Sequence, residues 1–530
     1  MSKVLKVMRF IIVYVACFSF SNLLYSQQKD KDYIQQVVEE YASKIEIPDL
    51  SKSEMYADFD TLIYLIKNVY SHYYIKSQLC ATNYDEKLIE LRNQISSIQQ
   101  TEDFIWILRK AIRLFCDGHF YIPPMNTLSA YYKFGTMYDV EFSPENIVCT
   151  HKYSSLISDS LRAKAKLGMD YKYVDGKYYT IRAFKYNGQI YPEGTLLKYI
   201  DGMPVDTFVS RFYPSMLNVE YDYKHKKYFS EYFYMLPDFM NRKTRLLVFE
   251  DKNKNILQDT FPTTDAPLIE YLSNKKQITD NPTVFTVHDS ILYVRMPNMF
   301  GNDDFYIQEI EKLYNEKYIK KFVIDIRSNP GGSELVWMNV LSHIIPDTIR
   351  QNVAIYAYNT DKRVRDYLVK RNKSRNRPDS IQIEYLPILN SELIQIYKDI
   401  EEIFPHENSV RFNGKIVIMQ NENTYSAAGS LVTIAKGKDN IITIGNNMTN
   451  IGGRGLAPLL FQLPHTNMFI VVPFVIDYSG VNQMSDFLKN IPEIECEQSI
   501  STVLKNYYET NPFQLESLLQ DECFLQAISL

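Results

Sequence analysis

From Asp30 to about Leu114 apolar residues recur three and four apart, the spacing of helices that bury one stripe. The clearest stretches are Tyr56 to Ile66, Glu86 to Ile95 and Phe104 to Phe115. The last follows Thr101-Glu102-Asp103, which reads as a helix-start signal, and runs into Cys116-Asp117-Gly118-His119. From about Tyr131 to Phe261 the pattern shortens to alternating runs separated by Asp175-Gly176, Asn187-Gly188 and Asp201-Gly202, pairs that suit tight hairpins. A small β-rich domain is expected there. After Pro262 strands and helices alternate. Strands are predicted at Ser290–Val294, Lys321–Ile326, Lys415–Met419 and Ile441–Ile444, with helices at Asp304–Glu316, about Glu334–Ile345 and up to Ala435. This is an α/β pattern, in which functional loops sit at the carboxyl ends of strands. Segment 359–413, with its basic run Lys370 to Arg377, reads as a surface excursion.

A chain of 530 residues holds more than one ordinary core. The divisions expected are a signal peptide (1–26), a helical region (30–125), a β-rich domain (135–260), an α/β domain (265–510) and a C-terminal tail (511–530). Lys3, Lys6 and Arg9 precede an apolar run to about Phe20 and the small residue Ser26, the order of a secretory signal. The run is short for a membrane anchor. Lipidation at Cys17 is disfavoured because Tyr14 occupies the third position before it. The mature chain is therefore expected to be exported, periplasmic or extracellular, with no membrane span. A formal charge of −5 and no long basic block argue against a nucleic-acid partner. Cys80, Cys116, Cys149, Cys496 and Cys523 are scattered, which suits buried thiols and leaves room for one disulfide.

Gly is scarce, 18 residues in all, so its clusters carry weight. Asp325-Ile326-Arg327-Ser328-Asn329-Pro330-Gly331-Gly332 ends a buried strand in a turn whose backbone can approach an anion closely. Asn423-Thr424-Tyr425-Ser426-Ala427-Ala428-Gly429-Ser430 places Ser426 where a helix begins. A Ser there usually caps the helix, but its small neighbours would admit a carbonyl group to the hydroxyl. It is not the GxSxG elbow of α/β-hydrolases. His119 stands at a helix end beside Gly118, where an imidazole can be presented to a cleft.

Together these stretches resemble the tail-specific (C-terminal processing) serine peptidases, in the branch that includes the tricorn core. Phe322 to Gly332 matches that family's strand followed by Asp-x-Arg-x-Asn-Pro-Gly-Gly, and Thr424 to Ala428 is similar to its nucleophile loop. Leu114 to His119 is similar to the Asp-Gly-His of the branch with a His base, and Gly194 to Val205 to part of a PDZ-like domain. The resemblance spans about residues 40–500. It implies a helical N-terminal region, an inserted PDZ-like domain and an α/β catalytic domain of the ClpP/crotonase-like type.

Carried over, the resemblance makes Ser426 the nucleophile, His119 the general base, the N–H groups of Gly332 and Ala427 the oxyanion hole, and Asp486 the acid behind the His. It implies a peptide or unfolded-protein substrate, and the absence of an HExxH, a P-loop or a dinucleotide fingerprint predicts no metal or organic cofactor. Two departures stand out. Gly118 replaces the Ser that precedes the His in tricorn-like enzymes, and Asn450 to Gly455 lacks the Lys of the Ser–Lys branch. Arg454 cannot serve as a base. The alternative is an idle peptide- or ligand-binding protein on the same scaffold.

Overall fold

Strands that are apolar at successive positions need cover on both faces, and that requirement organises the second half of the chain. The computed structural model describes residues 32–530 except 81, 134–139, 164–169, 217, 232–243, 263–268, 275–277, 375–377, 379, 448–450 and 452–457, and except the side chains of 158–163. The signal sequence, Cys17 and Arg454 lie outside the described residues. The chain forms two units, one of 1–163, 352–400 and 454–487, the other of 164–351, 401–453 and 488–530.

The first unit begins with the predicted helices. Lys52–Asn68 is held by a capping box between Ser51 and Glu54 and buries Phe59, Leu62, Leu65 and Ile66. Thr101–Arg113 is present too, but Thr101 does not cap it. Its hydroxyl instead accepts from the Leu50 N–H and donates to the Pro48 carbonyl. Helices continue at Met125–Tyr132 and Pro144–Ala163, so among the described residues the strands begin at Tyr171, not near Tyr131. Cys149, Tyr153 and Ile157, spaced by four, are buried on one side of the longer helix, a period the aromatic-rich sequence obscures. The polar segment 359–413 is also not a loose excursion. Ile349–Tyr358, Gln382–Leu386 and Ser391–Ile403 form a sheet with Ile476–Asp477, and helix Lys362–Ser374 buries Val364, Tyr367 and Leu368.

In the second unit, Tyr171–Val174, Lys177–Thr180, Leu196–Ile200, Thr244–Glu250 and Ile256–Pro262 line up as an antiparallel sheet. Asp175-Gly176, Asn187-Gly188 and Asp201-Gly202 all turn hairpins with both residues at positive φ, as their composition foretold. The mainly parallel sheet takes its strands in chain order. They are β1 (Thr283–Val287), β2 (Ile291–Arg295), β3 (Lys321–Asp325), β4 (Lys415–Gln420), β5 (Ile441–Gly445) and β6 (Ile494–Glu495). β1 runs antiparallel to β2, and β2 to β6 are parallel. Crossovers of one hand in a sheet wound one way put their helices on one face. Accordingly α1 (Asp303–Glu316), α2 (Glu334–Ile344) and α3 (Ala427–Ala435) pack in series, α1 on α2 and α2 on α3.

The opposite face is covered by the chain's last residues. Tyr293, Val323, Val417, Met419 and Ile444, every second residue of their strands, pack on Leu518, Cys523, Phe524 and Ala527. Helix α4 (Glu522–Ser529) supplies the last three, and a Cys496–Cys523 disulfide ties it to the segment after β6. Residues 511–530 are therefore core cover rather than a tail. Phe524→Ala should lower unfolding free energy by about 3–5 kcal/mol. Denaturant titration checks this, and an unshifted midpoint would mean that the sheet face has other cover.

Candidate active site

Parallel register places the ends of β3 and β4 side by side, with Asp325 opposite Met419. The loops that leave them are therefore neighbours. Asp325 is fully buried; its carboxylate accepts from the Arg327 backbone and side chain and from the Tyr293 hydroxyl at 2.9 Å. Burial alone would raise this carboxyl, but Arg327 and Arg295 outweigh it and hold the pKa below the usual range. Arg327 also pairs with Asp521, the N-cap of α4.

Beyond Arg327 the loop is pinned to its neighbour. Asn421 Oδ1 accepts the Ser328 N–H at 2.7 Å, and Thr424 donates to the Ile326 carbonyl at 3.1 Å. Buried Asn329 donates to the Met296 carbonyl and accepts the Gly331 N–H, each at 2.8 Å. Its own carbonyl takes the Tyr425 N–H at 2.8 Å. The Pro-Gly-Gly turn is thereby drawn against the loop that carries Ser426. A Cβ on Gly331 would sit 2.6 Å from Ser426 Cβ and 2.8 Å from Ala427 N, while one on Gly332 would strike the Met299 carbonyl. Their φ values of +94° and +136° also demand glycine.

Ser426 is the first central residue of a turn closed by the Ala428 N–H on the Tyr425 carbonyl at 3.2 Å. Its φ of +54° and ψ of −123° are those of a type II′ turn, where glycine is usual. Holding a serine there costs about 1–3 kcal/mol. Although it occupies the N-cap position of α3, its side chain makes no capping bond. Among the described residues neither the Gly332 nor the Ala427 N–H donates to a protein group. Ser426, Ala427, Gly331 and Gly332 thus come together in the second unit.

His119 and Asp486 belong to the first unit. The Tyr121–Val471 bridge fixes the chain just after His119. Asp117 anchors the loop before it: Oδ1 accepts the His119 N–H at 2.9 Å and Oδ2 the Tyr70 hydroxyl at 2.8 Å. The His72 and His119 Nδ1 atoms stand 3.5 and 3.8 Å from the same carboxylate. Burial would raise Asp117, but the His72 contact and the charges of Lys76 and the two histidines hold it far below the carboxylate range. The His119 ring keeps 45% of its surface exposed. Desolvation of its buried side, with the nearby charges of His72 and Lys76, lowers its pKa below the ordinary imidazole value, and Asp117 opposes the shift. Asp486 accepts the Asn482 and Gln483 N–H groups at 2.9 and 3.0 Å, closing its own turn. That turn packs against helix Tyr73–Leu79, directly after His72. Sequence reading missed Tyr70 and His72, which lie some 45 residues from Asp117 and carry no local signal.

The model for peptidase family S41 matches residues 290–474, from β2 through both loops. This stretch is a family S41 peptidase region. Mature CPAF complexed with lactacystin is similar in fold, with a TM-score of 0.52 at 12% identity over 86% of this chain and 96% of that one. Mature CPAF alone gives 0.52 and 12% over 86% and 95%. The photosystem II D1 C-terminal processing protease gives 0.36 and 14% over 84% and 93%, too distant to carry an argument. No curated protein matches the chain in sequence. The family S41 match over residues 290–474 bears out the resemblance to tail-specific serine peptidases.

The depressed Asp117 pKa sets a pH test. Its stabilising share is fully present above the unfolded carboxyl value of about 3.9 and is lost as pH falls through the folded value. Asp117→Asn should therefore lower Tm at pH 5–8, with the gap to wild type closing at more acid pH. A gap independent of pH would remove the charge from the account.

Proposed function

We propose that this chain is an exported serine endopeptidase in which Ser426 attacks the peptide carbonyl carbon. One observation carries the reading: a serine held in a conformation suited to glycine, its hydroxyl not spent on capping, beside two N–H groups without protein acceptors. A serine present only as a cap would need neither the strain nor the adjoining glycines. His119 takes the Ser426 proton and returns it to the leaving amine, and Gly332 and Ala427 hold the oxyanion. Water then releases the acyl group. Asp117, rather than Asp486, is the acid that orients the His119 loop, because it accepts the His119 N–H and stands nearest the ring. The sheet of residues 171–262 serves as the PDZ-like module, binding an extended peptide along an edge. Export rests on the N-terminal pattern, and the Cys496–Cys523 disulfide suits an oxidising compartment.

Ser426→Ala and Ser426→Gly should both abolish peptide hydrolysis and fluorophosphonate labelling. They should differ in stability. Ala keeps the strained backbone, whereas Gly relieves it at a flexibility cost of about 0.4–1 kcal/mol, leaving the Gly variant about 1 kcal/mol the more stable. Full residual activity would remove Ser426 from the chemistry, and a wild-type protein that resists labelling would favour the idle binding protein.

The pH profile tests the base. His119 must be neutral to accept a proton, and its pKa is lowered chiefly by desolvation. The acid limb of kcat/KM should therefore fall below the unperturbed imidazole value of about 6.5. His119→Ala should cost several orders of magnitude, comparable with loss of Ser426, because the two act as one unit. Retention of most activity in that variant would sink the His-base assignment.

A further inference from the structure

Phe300 stands beside the Gly332 backbone without the cover an aromatic ring usually finds. Met299 and Gly332 pair as a short parallel bridge, the Met299 N–H donating to the Gly331 carbonyl at 2.9 Å and the Ser333 N–H to the Met299 carbonyl at 2.7 Å. The bridge carries the next residue to the edge of the turn. A Cβ on Gly332 would lie 2.9 Å from Phe300 Cδ1, so the ring edge rests against the glycine. The Phe300 N–H is fixed on Asn298 Oδ1 at 3.1 Å. Yet the residue is 51% exposed, and among the described residues no other ring packs on it. Single exposed aromatics are ordinary on protein surfaces. This one is distinguished by its place against an N–H that has no protein acceptor.

We infer that Phe300 is a specificity-determining residue, forming a wall of the subsite for the substrate residue whose carbonyl is attacked, and that it selects a large apolar side chain there. The inference rests on Gly332 serving as an oxyanion donor. A carbonyl oxygen held by that N–H sits about 3 Å away. The Cα bearing the side chain lies about 2.4 Å from that oxygen, so the side chain starts within reach of the Phe300 ring. A Leu, Met or Phe side chain would cover the exposed half of the ring and remove apolar surface from water on both partners. An Ala would leave it wet, and a Lys would set an ammonium group against an apolar edge. Because the Met299–Gly332 bridge and Asn298 hold the backbone of Phe300, the wall is formed before substrate arrives and ordering it costs little.

The test is a set of peptides that differ only at the residue before the cleaved bond, carrying Leu, Phe, Ala or Lys. Wild-type protein should favour Leu and Phe over Ala and Lys in kcat/KM. Phe300→Ala should reduce the Leu-to-Ala ratio about ten- to hundredfold, and Phe300→Glu should move preference toward Lys. Phe300→Leu, the smallest change, should keep the Leu preference while weakening that for Phe, and it serves if the Ala variant does not fold. Wild-type protein that labels at Ser426 and cleaves after Ala as readily as after Leu would overturn the inference while leaving the peptidase reading intact. Ratios unchanged in Phe300→Ala and Phe300→Glu would do the same. Wild-type protein that neither labels nor cleaves would overturn both.

Discussion

Asp325 is the residue on which the second unit turns. It ends a strand that is buried on both faces, so its charge has no access to water and must be satisfied by protein. Arg327 answers from two residues ahead and Tyr293 from the next strand, and Arg295 lies at 3.5 Å. Replacing such a cluster with apolar residues often stabilises a protein, so its net contribution to folding is a poor explanation for its presence. What it fixes is direction. The chain must leave β3 with the Arg327 side chain turned back on Asp325, and that sets the start of the loop carrying Gly331 and Gly332.

The same arginine ties the loop to the end of the chain. Asp521 caps α4 with one oxygen, accepting the Cys523 and Phe524 N–H groups, and receives Arg327 and Gln498 with the other. The helix that covers one sheet face is therefore capped by a carboxylate whose second oxygen steadies the loop that carries Gly331 and Gly332. The disulfide at Cys523 adds a covalent tie, and closing a loop of this length contributes about 3–4 kcal/mol. Core cover and loop geometry share one electrostatic link, so disturbing either end is transmitted to the other.

Ser426 shows the cost of such an arrangement. Its backbone conformation is unfavourable for any residue but glycine, and the loop holds it through bonds made by Asn329, Asn421 and Thr424 to backbone on both sides. These contacts stabilise a geometry rather than a core. Strain persists where surroundings over-determine it, and here the surroundings are two strand ends in fixed parallel register.

The sequence pattern by itself determined the helices of residues 52–68 and 101–113, the three hairpins and the alternation of β2, α1, β3, α2, β4, α3 and β5, because each is set by neighbours within a few residues. It also determined the loops that hold Ser426, Gly331, Gly332 and His119, since scarce glycines and strand ends are visible locally. It did not reveal that 125–163 is largely helical, where tyrosines and other aromatics masked a four-residue period, nor that 359–413 builds a sheet. Only tertiary structure decided that the last twenty residues cover a sheet face, that Cys496 meets Cys523, and that Tyr70 and His72 converge on Asp117. It alone showed that Ser426 does not cap its helix and that Phe300 lies open beside Gly332. These are contacts between residues far apart in the chain, fixed by packing and register, and no local pattern encodes them.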